Sequence, residues 1–421
     1  MSLTKKIIIF MVVGAIVGIA INYFGYNKTP FVETYLTGGL FKVVGKLFLN
    51  ALRMMVVPLV FVSLFCGAAA LREPSQLGKL GGKTLLFYLF TTAIALTIAI
   101  SMAYLINPGL GFDIPNDYPK YVAKEAPSFV DVLINMVPTN PIKAMAQGNM
   151  LQIIVFSILL GLAATMAGKP GEKIIDFMQN INDVVMKLVH IIMEFAPYAV
   201  FALIAIVFAD LGAKAIGDLA KYFFTVMLVL MIHAFIVYPT LLSVFGKINP
   251  ITFLKKIQTA VVFAFGSASS NATIPVTLRT VTKRMGVDKS VASFTIPFGA
   301  TINMDGTAIM QGVATVFIAQ AFGFDLTLAQ LGTVVLMATM ASIGTAGVPG
   351  VGLLMLAGVL EQVGLPVEAI GIILGIDRLL DMTRTAVNIT GDAAVTCIVA
   401  KSAGKLDEEV FNDPEAGIIE E

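Results

Sequence analysis

Gly266-Ser-Ala-Ser-Ser-Asn-Ala-Thr-Ile-Pro275 stands in the middle of a run, Ile257–Leu278, that carries no charge. Such a run is long enough to cross a bilayer, which takes about 20 mostly apolar residues. Its centre, however, is a cluster of turn-forming residues that a crossing helix does not place there. The flanking charges decide the matter. Lys255 and Lys256 precede the run, and Arg279, Lys283 and Arg284 follow it. Basic residues favour the cytoplasmic face, so both ends belong on one side. The economical expectation is a re-entrant hairpin that enters and leaves from the cytoplasm.

A second long apolar run, Leu326–Leu360, is broken by Gly344-Thr-Ala-Gly-Val-Pro-Gly-Val-Gly352 and flanked by Asp325 and Glu361, with no basic residue. It reads as a hairpin entered from the outside. After each hairpin comes a crossing with a polar interruption. The first, about 291–322, contains Asn303-Met-Asp-Gly-Thr307, and the second, about 367–400, contains Asn388-Ile-Thr-Gly-Asp392. Hairpin plus broken helix, twice and from opposite faces, is the inverted-repeat signature of secondary transporters, whose sites lie near the midplane.

Composition agrees with lipid as the solvent. The hydrophobic fraction is 57% and only 13% of residues are charged, with a mean hydropathy of +0.88; soluble chains run nearer a quarter charged. With 28 Lys+Arg against 27 Asp+Glu and no basic block, a nucleic-acid partner is excluded. Crossings are expected at Ile7–Asn27, Met54–Leu71, Thr84–Phe112, Ala144–Gly168, about 184–209 and Tyr222–Gly246. Lys5, Lys6, Arg72, Lys79, Lys83, Lys169, Lys173 and Lys247 then fall on one side, while the loops at 113–131 and 210–221 mix signs, so the N-terminus is expected in the cytoplasm. The start, Met1-Ser-Leu-Thr-Lys-Lys6, reads as a retained first helix. Cys66 and Cys397 fit neither a disulfide framework nor a zinc spacing, and His190 and His233 read as helix-packing residues.

The last crossing carries Asp377, Arg378, Asp381, Arg384 and Asp392. At 100° per residue, Asp377, Asp381, Arg384, Asn388 and Asp392 share an arc of roughly 80°. Each ionised residue at a helix centre costs about 2.5–3.5 kcal/mol, so the stripe must face partners or water. Asp381 and Arg384 are i,i+3 neighbours and can neutralise one another, which leaves Asp377 and Asp392 needing cations. Unwound backbone frees carbonyls, and carbonyls with Asp oxygens suit a hard cation, arguing for alkali ions as co-substrates. An unpaired Arg384 would offer its N–H fork to a carboxylate, and Asp381 would take an ammonium. Together they describe an acidic amino acid, whose α-carboxylate would meet backbone N–H groups at the hairpin tips.

The motifs Ser269-Ser-Asn-Ala-Thr-Ile-Pro275, Gly299-Ala-Thr-Ile-Asn-Met-Asp-Gly-Thr307, Ala341-Ser-Ile-Gly-Thr-Ala-Gly-Val-Pro-Gly350 and Asp381-Met-Thr-Arg-Thr-Ala-Val-Asn-Ile-Thr-Gly-Asp392 resemble, in order and spacing, the dicarboxylate/amino acid:cation symporter family, the glutamate transporter group. The resemblance runs along essentially the whole chain. It implies an all-α polytopic membrane protein of eight transmembrane helices and two re-entrant hairpins, in a homotrimer working as an elevator in the inner (plasma) membrane. By that likeness residues 1–83 and 113–215 form the scaffold, residues 84–112, 216–250 and 251–402 the transport domain, and 403–421 an acidic cytoplasmic tail. The implied activity is sodium-coupled import of aspartate or glutamate, without catalysis. The implied substrate residues are Ser269, Ser270, Thr307, Val348, Gly352, Asp381, Arg384, Thr385 and Asn388. Three sodium sites are implied: Gly299, Asn303, Asn388 and Asp392; Thr301, Ser342, Ile343 and Thr345; and Tyr88, Thr91, Thr92, Asn303 and Asp305.

The chain departs from its likenesses at three places. Archaeal relatives carry an Arg where this chain has Ala268, animal relatives one where it has Met382, and Asn271 replaces a serine. Proton-coupled animal relatives carry a Glu where Gln311 stands, and an amide does not titrate. Arg378, within i,i+3 reach of Asp381, either snorkels at the interface or replaces the missing guanidinium. A channel lined by the stripe and an intramembrane serine enzyme are the rivals from other classes; no nucleophile–base pairing supports the enzyme. Among carriers, Asp381 argues against a C4 dicarboxylate and Arg384 against a neutral amino acid.

Overall fold

The computed structural model describes residues 3–69, 77–112, 134, 136–211, 214–342, 347, 350–374 and 376–417. Among these the chain is helical, and an isolated bridge joins Val287 to Leu406. The helices are α1 (Leu3–Tyr23), α2 (Lys42–Ala69), α3 (Leu77–Ile106), α4 (Pro141–Gln147), α5 (Met150–Met166), α6 (Lys169–Glu194), α7 (Ala196–Leu211) and α8 (Lys214–Ile232). There follow α9 (Pro250–Ser267), α10 (Ser270–Arg279), α11 (Lys289–Ile302), α12 (Asp305–Ala321), α13 (Leu328–Ser342), α14 (Val351–Gln362), α15 (Ile370–Leu374), α16 (Asp377–Ser402) and α17 (Glu408–Asn412). Wide π-type turns carry α8 on through His233–Val237 and Leu242–Gly246, and another, Val32–Phe41, leads into α2.

Among the described residues two helices, Leu80–Ile106 and Leu219–Gly246, are long and apolar enough to cross a bilayer by themselves. The crossing expected at 144–168 is instead split between α4 and α5 at Gly148, whose φ of +69° a side chain would resist. The one expected at 184–209 is divided at Phe195, so Glu194 ends α6 and the apolar part is α7. Large apolar side chains such as Ile16, Leu47, Leu86, Leu105 and Phe224 lie exposed on the outer surfaces, as suits lipid and not water.

Local sequence explains the first hairpin. Asn249 caps α9 by accepting from Ile251 N at 2.9 Å, and Ser269 caps α10 by accepting from Ala272 N at 3.2 Å; such caps are each worth about 1 kcal/mol. Between the two helices Ala268 takes φ +50°, a left-handed conformation costing a non-glycine residue about 1–2 kcal/mol. The turn is therefore held by its surroundings: Ala268 and Ser270 are buried. The break between α11 and α12 falls at Asn303 and Met304, as the sequence leads one to expect.

The second expected break is not where the motif suggested. Asn388–Asp392 lies inside the continuous helix α16, which begins at Asp377, after α15 has ended at Leu374. The Thr390 hydroxyl returns to the Ala386 carbonyl at 2.7 Å, and a Cβ at Gly391 would strike the Tyr238 hydroxyl. Gly391 thus serves close approach to α8's continuation and does not unwind the helix. In packing, α1 lies along α7 and α2 along α5 and α6, while α3 lies along α12. Helix α16 packs against α9, α11, α12 and α3 and is buried from Thr383 to Ala400.

Candidate functional site

Because α16 is buried from Thr383 to Ala400, and Asp377 and Asp381 are buried before it, the polar stripe meets protein groups rather than open water. The Arg384 guanidinium is 1% exposed. Its Nη1 donates to Asp377 Oδ1 at 2.7 Å and its Nη2 to Asp377 Oδ2 at 3.2 Å, a bidentate fork, and Nη2 also donates to Asp381 Oδ1 at 2.8 Å. The expectation of an unpaired Arg384 is therefore corrected. A buried guanidinium without a counter-charge is too costly to persist, and two carboxylates at helical spacing on its own face supply one. Asp377, which the sequence left in need of a cation, has Arg384 as that cation.

Asp381 is shared further. Its Oδ2 accepts from Arg378 Nη1 and from the Gly350 backbone N–H, both at 3.2 Å. The hairpin tips meet above it: Ser269 Oγ donates to the Gly347 carbonyl at 2.7 Å and Asn271 N donates to the same oxygen at 3.1 Å. A Cβ at Gly347 would fall 2.8 Å from Asn271 Oδ1 and 2.9 Å from the Ala300 carbonyl, so only glycine lets the tips close to this extent. Gly352 stands over Thr307 and Arg384, since a Cβ there would be 3.0 Å from Thr307 Cγ2 and 3.6 Å from Arg384 Nη2. Thr307, Gly352, Asp381 and Arg384 are thus gathered together, with Asn388 beside them through Gly306, while Ser269 and Ser270 lie against Gly347, three residues before Gly350; all seven site residues are buried. Thr385 is buried beside them, but its hydroxyl donates to the Asp381 carbonyl along its own helix at 2.8 Å. Val348 lies outside the described residues.

A second cluster forms where the broken helix crosses α16. Asn388 Oδ1 accepts from Gly306 N at 2.7 Å, satisfying one of the free N–H groups that begin α12. Asn303 Nδ2 donates to Asp392 Oδ1 at 2.9 Å and to the Asn388 carbonyl at 3.4 Å. Gly299 backs onto both Asp392 and Tyr88: a Cβ there would be 2.5 Å from Asp392 Oδ1 and 2.6 Å from the Tyr88 hydroxyl. Around Asp305, Thr92 Oγ1 donates to Oδ1 at 2.6 Å, while Thr91 Oγ1 reaches Asn303 Oδ1 at 3.4 Å. The Tyr88 hydroxyl itself donates to the Thr295 carbonyl at 3.0 Å. Asn303 therefore joins two clusters rich in oxygen, the donor type that hard cations take. In the remaining set, Ser342 Oγ donates to the Ile302 carbonyl at 3.3 Å and Thr301 Oγ1 to the Pro297 carbonyl at 3.1 Å. Ile343 and Thr345 lie outside the described residues.

Residues that sequence reasoning passed over complete the picture. His233, read as a packing residue, is wholly buried with Nε2 3.1 Å from Asp305 Oδ2, and the Tyr238 hydroxyl donates to the same oxygen at 2.8 Å. Neither could be found from spacing, because α8's continuation and α12 are distant in the chain. Their only signal was polarity in an apolar stretch. The side chain of His190 is outside the described residues. Gln311 Nε2 donates to the Gly352 carbonyl at 3.4 Å, which ties α12 to α14.

Residues 3–402 match the family described as the sodium:dicarboxylate symporter family. The chain is similar to the proton/sodium-glutamate symport protein of Geobacillus stearothermophilus, 34% identical over 405 residues and covering 94% of each chain. It is 36% identical over 387 residues to the neutral amino acid transporter B(0) of Bos taurus, covering 84% of this chain and 72% of the relative. It is also 30% identical over 414 residues to the C4-dicarboxylate transport protein of Bacillus subtilis (strain 168), covering 97% and 95%.

Proposed function

The chain belongs to the sodium:dicarboxylate symporter family, and on that premise we propose that it imports acidic amino acids, L-aspartate or L-glutamate, with sodium ions. The family and these relatives are membrane transporters and not enzymes. The observation that carries the acidic reading is one buried place where Arg384 and Asp381 lie 2.8 Å apart. A guanidinium for a side-chain carboxylate and a carboxylate for an ammonium are what an acidic amino acid needs. In this reading Arg384 takes the side-chain carboxylate in exchange for Asp377, and Asp381 takes the ammonium. Asn388, Thr307, Gly352 and the Ser269–Ser270 tip enclose the rest, with Thr385 shaping the wall.

Sodium is assigned to the oxygen clusters at Gly299, Asn303, Asn388 and Asp392 and at Tyr88, Thr91, Thr92, Asn303 and Asp305. A further ion is assigned near Thr301 and Ser342. The α9–α10 and α13–α14 pairs are the two re-entrant hairpins, and eight helices span the bilayer with both termini cytoplasmic. Residues 84–112, 216–250 and 251–402 move as an elevator against a scaffold, residues 1–83 and 113–215, that holds a homotrimer together. Support for that division lies in the packing of α1 and α2 with α5–α7 on one hand, and of α16 with α3 and α9–α12 on the other.

The test is uptake of labelled aspartate, glutamate, serine and succinate into proteoliposomes with and without an inward sodium gradient. Aspartate or glutamate is expected to accumulate only with sodium. Preferred uptake of serine, or accumulation without sodium, would overturn the assignment.

A further inference from the structure

Asp381 offers a substrate ammonium two oxygens, and a fixed cation already sits on each. Oδ1 holds Arg384 Nη2 at 2.8 Å, and Oδ2 holds Arg378 Nη1 at 3.2 Å with Gly350 N at the same distance. The Arg378 and Asp381 side chains are 10% and 11% exposed, so this pair is not a solvent-screened surface contact. Arg384, Arg378, Asp377 and Asp381 together carry no net charge. From this geometry we propose that Arg378 is a tethered competitor of the substrate ammonium, and that it decides whether the site accepts acids lacking an amino group. The proposal rests on the reading above that Asp381 receives the ammonium.

The reasoning is electrostatic. An ammonium approaching Oδ2 meets a guanidinium within hydrogen-bond reach of the same oxygen, and like charges so close repel in a poorly screened site. Arg378 must then withdraw. Arg378 itself lines a cleft, together with Asp377 and Asp381, with Phe48, Ala196 and Val200 from α2 and α7 and with Leu353 of α14, and its long side chain can turn along that cleft, off Oδ2. A dicarboxylate without an ammonium makes no such demand. Arg378 stays in place, Asp381 remains neutralised, and the substrate's second carboxylate does not face a bare anion. The argument from Asp381 against a C4 dicarboxylate thus loses its force in this chain, because Asp381 brings its own cation. Losing Arg378 should favour the amino acid on both counts, by sparing its displacement and by exposing the anion to the dicarboxylate.

The experiment measures equilibrium binding to the purified full chain in sodium buffer, for aspartate against succinate and glutamate against glutarate. Wild type is compared with Arg378→Ala and Arg378→Lys. Arg378→Ala is expected to shift each pair toward the amino acid by about tenfold or more, the size of one charge-assisted hydrogen bond. Arg378→Lys, which keeps a cation, should stay within a few-fold of wild type. A general loosening of the site would weaken both members of a pair and leave their ratio alone. An unchanged ratio in Arg378→Ala, or a shift toward the dicarboxylate, overturns the proposal. Wild-type protein that binds serine in place of the acidic amino acids would refute the substrate assignment, and the ratio of serine to 3-hydroxypropionate would then decide on Arg378 by the same criterion.

Discussion

Arg384 shows why a buried charge is judged by its partners. Its fork is closed on Asp377 and touches Asp381, so replacing it removes the proposed substrate ligand and also strands a buried carboxylate. Breaking one side of such a pair costs about 3–5 kcal/mol, whereas removing both sides is often nearly neutral. Arg384→Cys is therefore expected to lose acidic amino-acid uptake and to melt at a lower temperature. Adding Asp377→Asn should recover the melting temperature without recovering uptake. Retained aspartate uptake in Arg384→Cys would remove this residue from the site. Asp305 is judged the same way: Tyr238 and His233 hold one of its oxygens and Thr92 the other. Outer partners of this kind typically change metal affinity by about 10- to 100-fold. Tyr238→Phe should raise the sodium concentration for half-maximal substrate binding by that order, and an unaltered sodium dependence would detach Asp305 from the ion.

Helix ends make the corresponding case at the level of elements. Asp288 caps α11 through Ser290 N at 2.9 Å and through the Ser290 hydroxyl. The Ser290 hydroxyl and the backbone N–H hold its carboxyl below the usual carboxylate range. A group whose folded-state value is depressed contributes stability above its unfolded value and loses it as pH falls through the folded one. The stability advantage of wild type over Asp288→Ala should therefore be present at neutral pH and shrink below about pH 4, near the ordinary aspartate value. A difference in melting temperature independent of pH would show that the cap acts without its charge. The first hairpin is anchored beyond its caps. Lys256, buried, donates to the Val410 and Asp413 carbonyls at 2.8 Å, and Asp288 N donates to Lys405 O at 3.0 Å. These bonds tie the segment after α16 to the hairpin, while the second hairpin touches the site through Gly347 and Gly350.

Over the whole molecule the question is which gradient drives transport. Asp305 has the Thr92 and Tyr238 hydroxyls and the His233 ring nitrogen around it, Asp392 has the Asn303 amide nitrogen, and Gln311 has its amide on the Gly352 carbonyl. An amide carries no proton across, and oxygen-rich clusters suit an alkali ion. Proteoliposomes given a sodium gradient should accumulate aspartate, and those given only a pH gradient in sodium-free buffer should not. Uptake driven by the pH gradient alone would refute sodium coupling.

Much of this was legible before any coordinates, for a physical reason. Charges flanking both ends of 257–278 and the helical spacing of Asp377, Asp381 and Arg384 are local facts, and helices translate local spacing directly into shared faces. The break at Asn303 and Met304 was likewise encoded where it occurs. Partnership across helices was not encoded in that way. His233 meets Asp305 and Tyr88 approaches Asp392 because α3, α8's continuation, α12 and α16 pack side by side, a matter of tertiary contact. The same holds at Asn388–Asp392. Its composition suggested an unwound strand of carbonyls, yet burial on every side favours a helix that satisfies its own backbone, and Gly391 is there because Tyr238 needs the room.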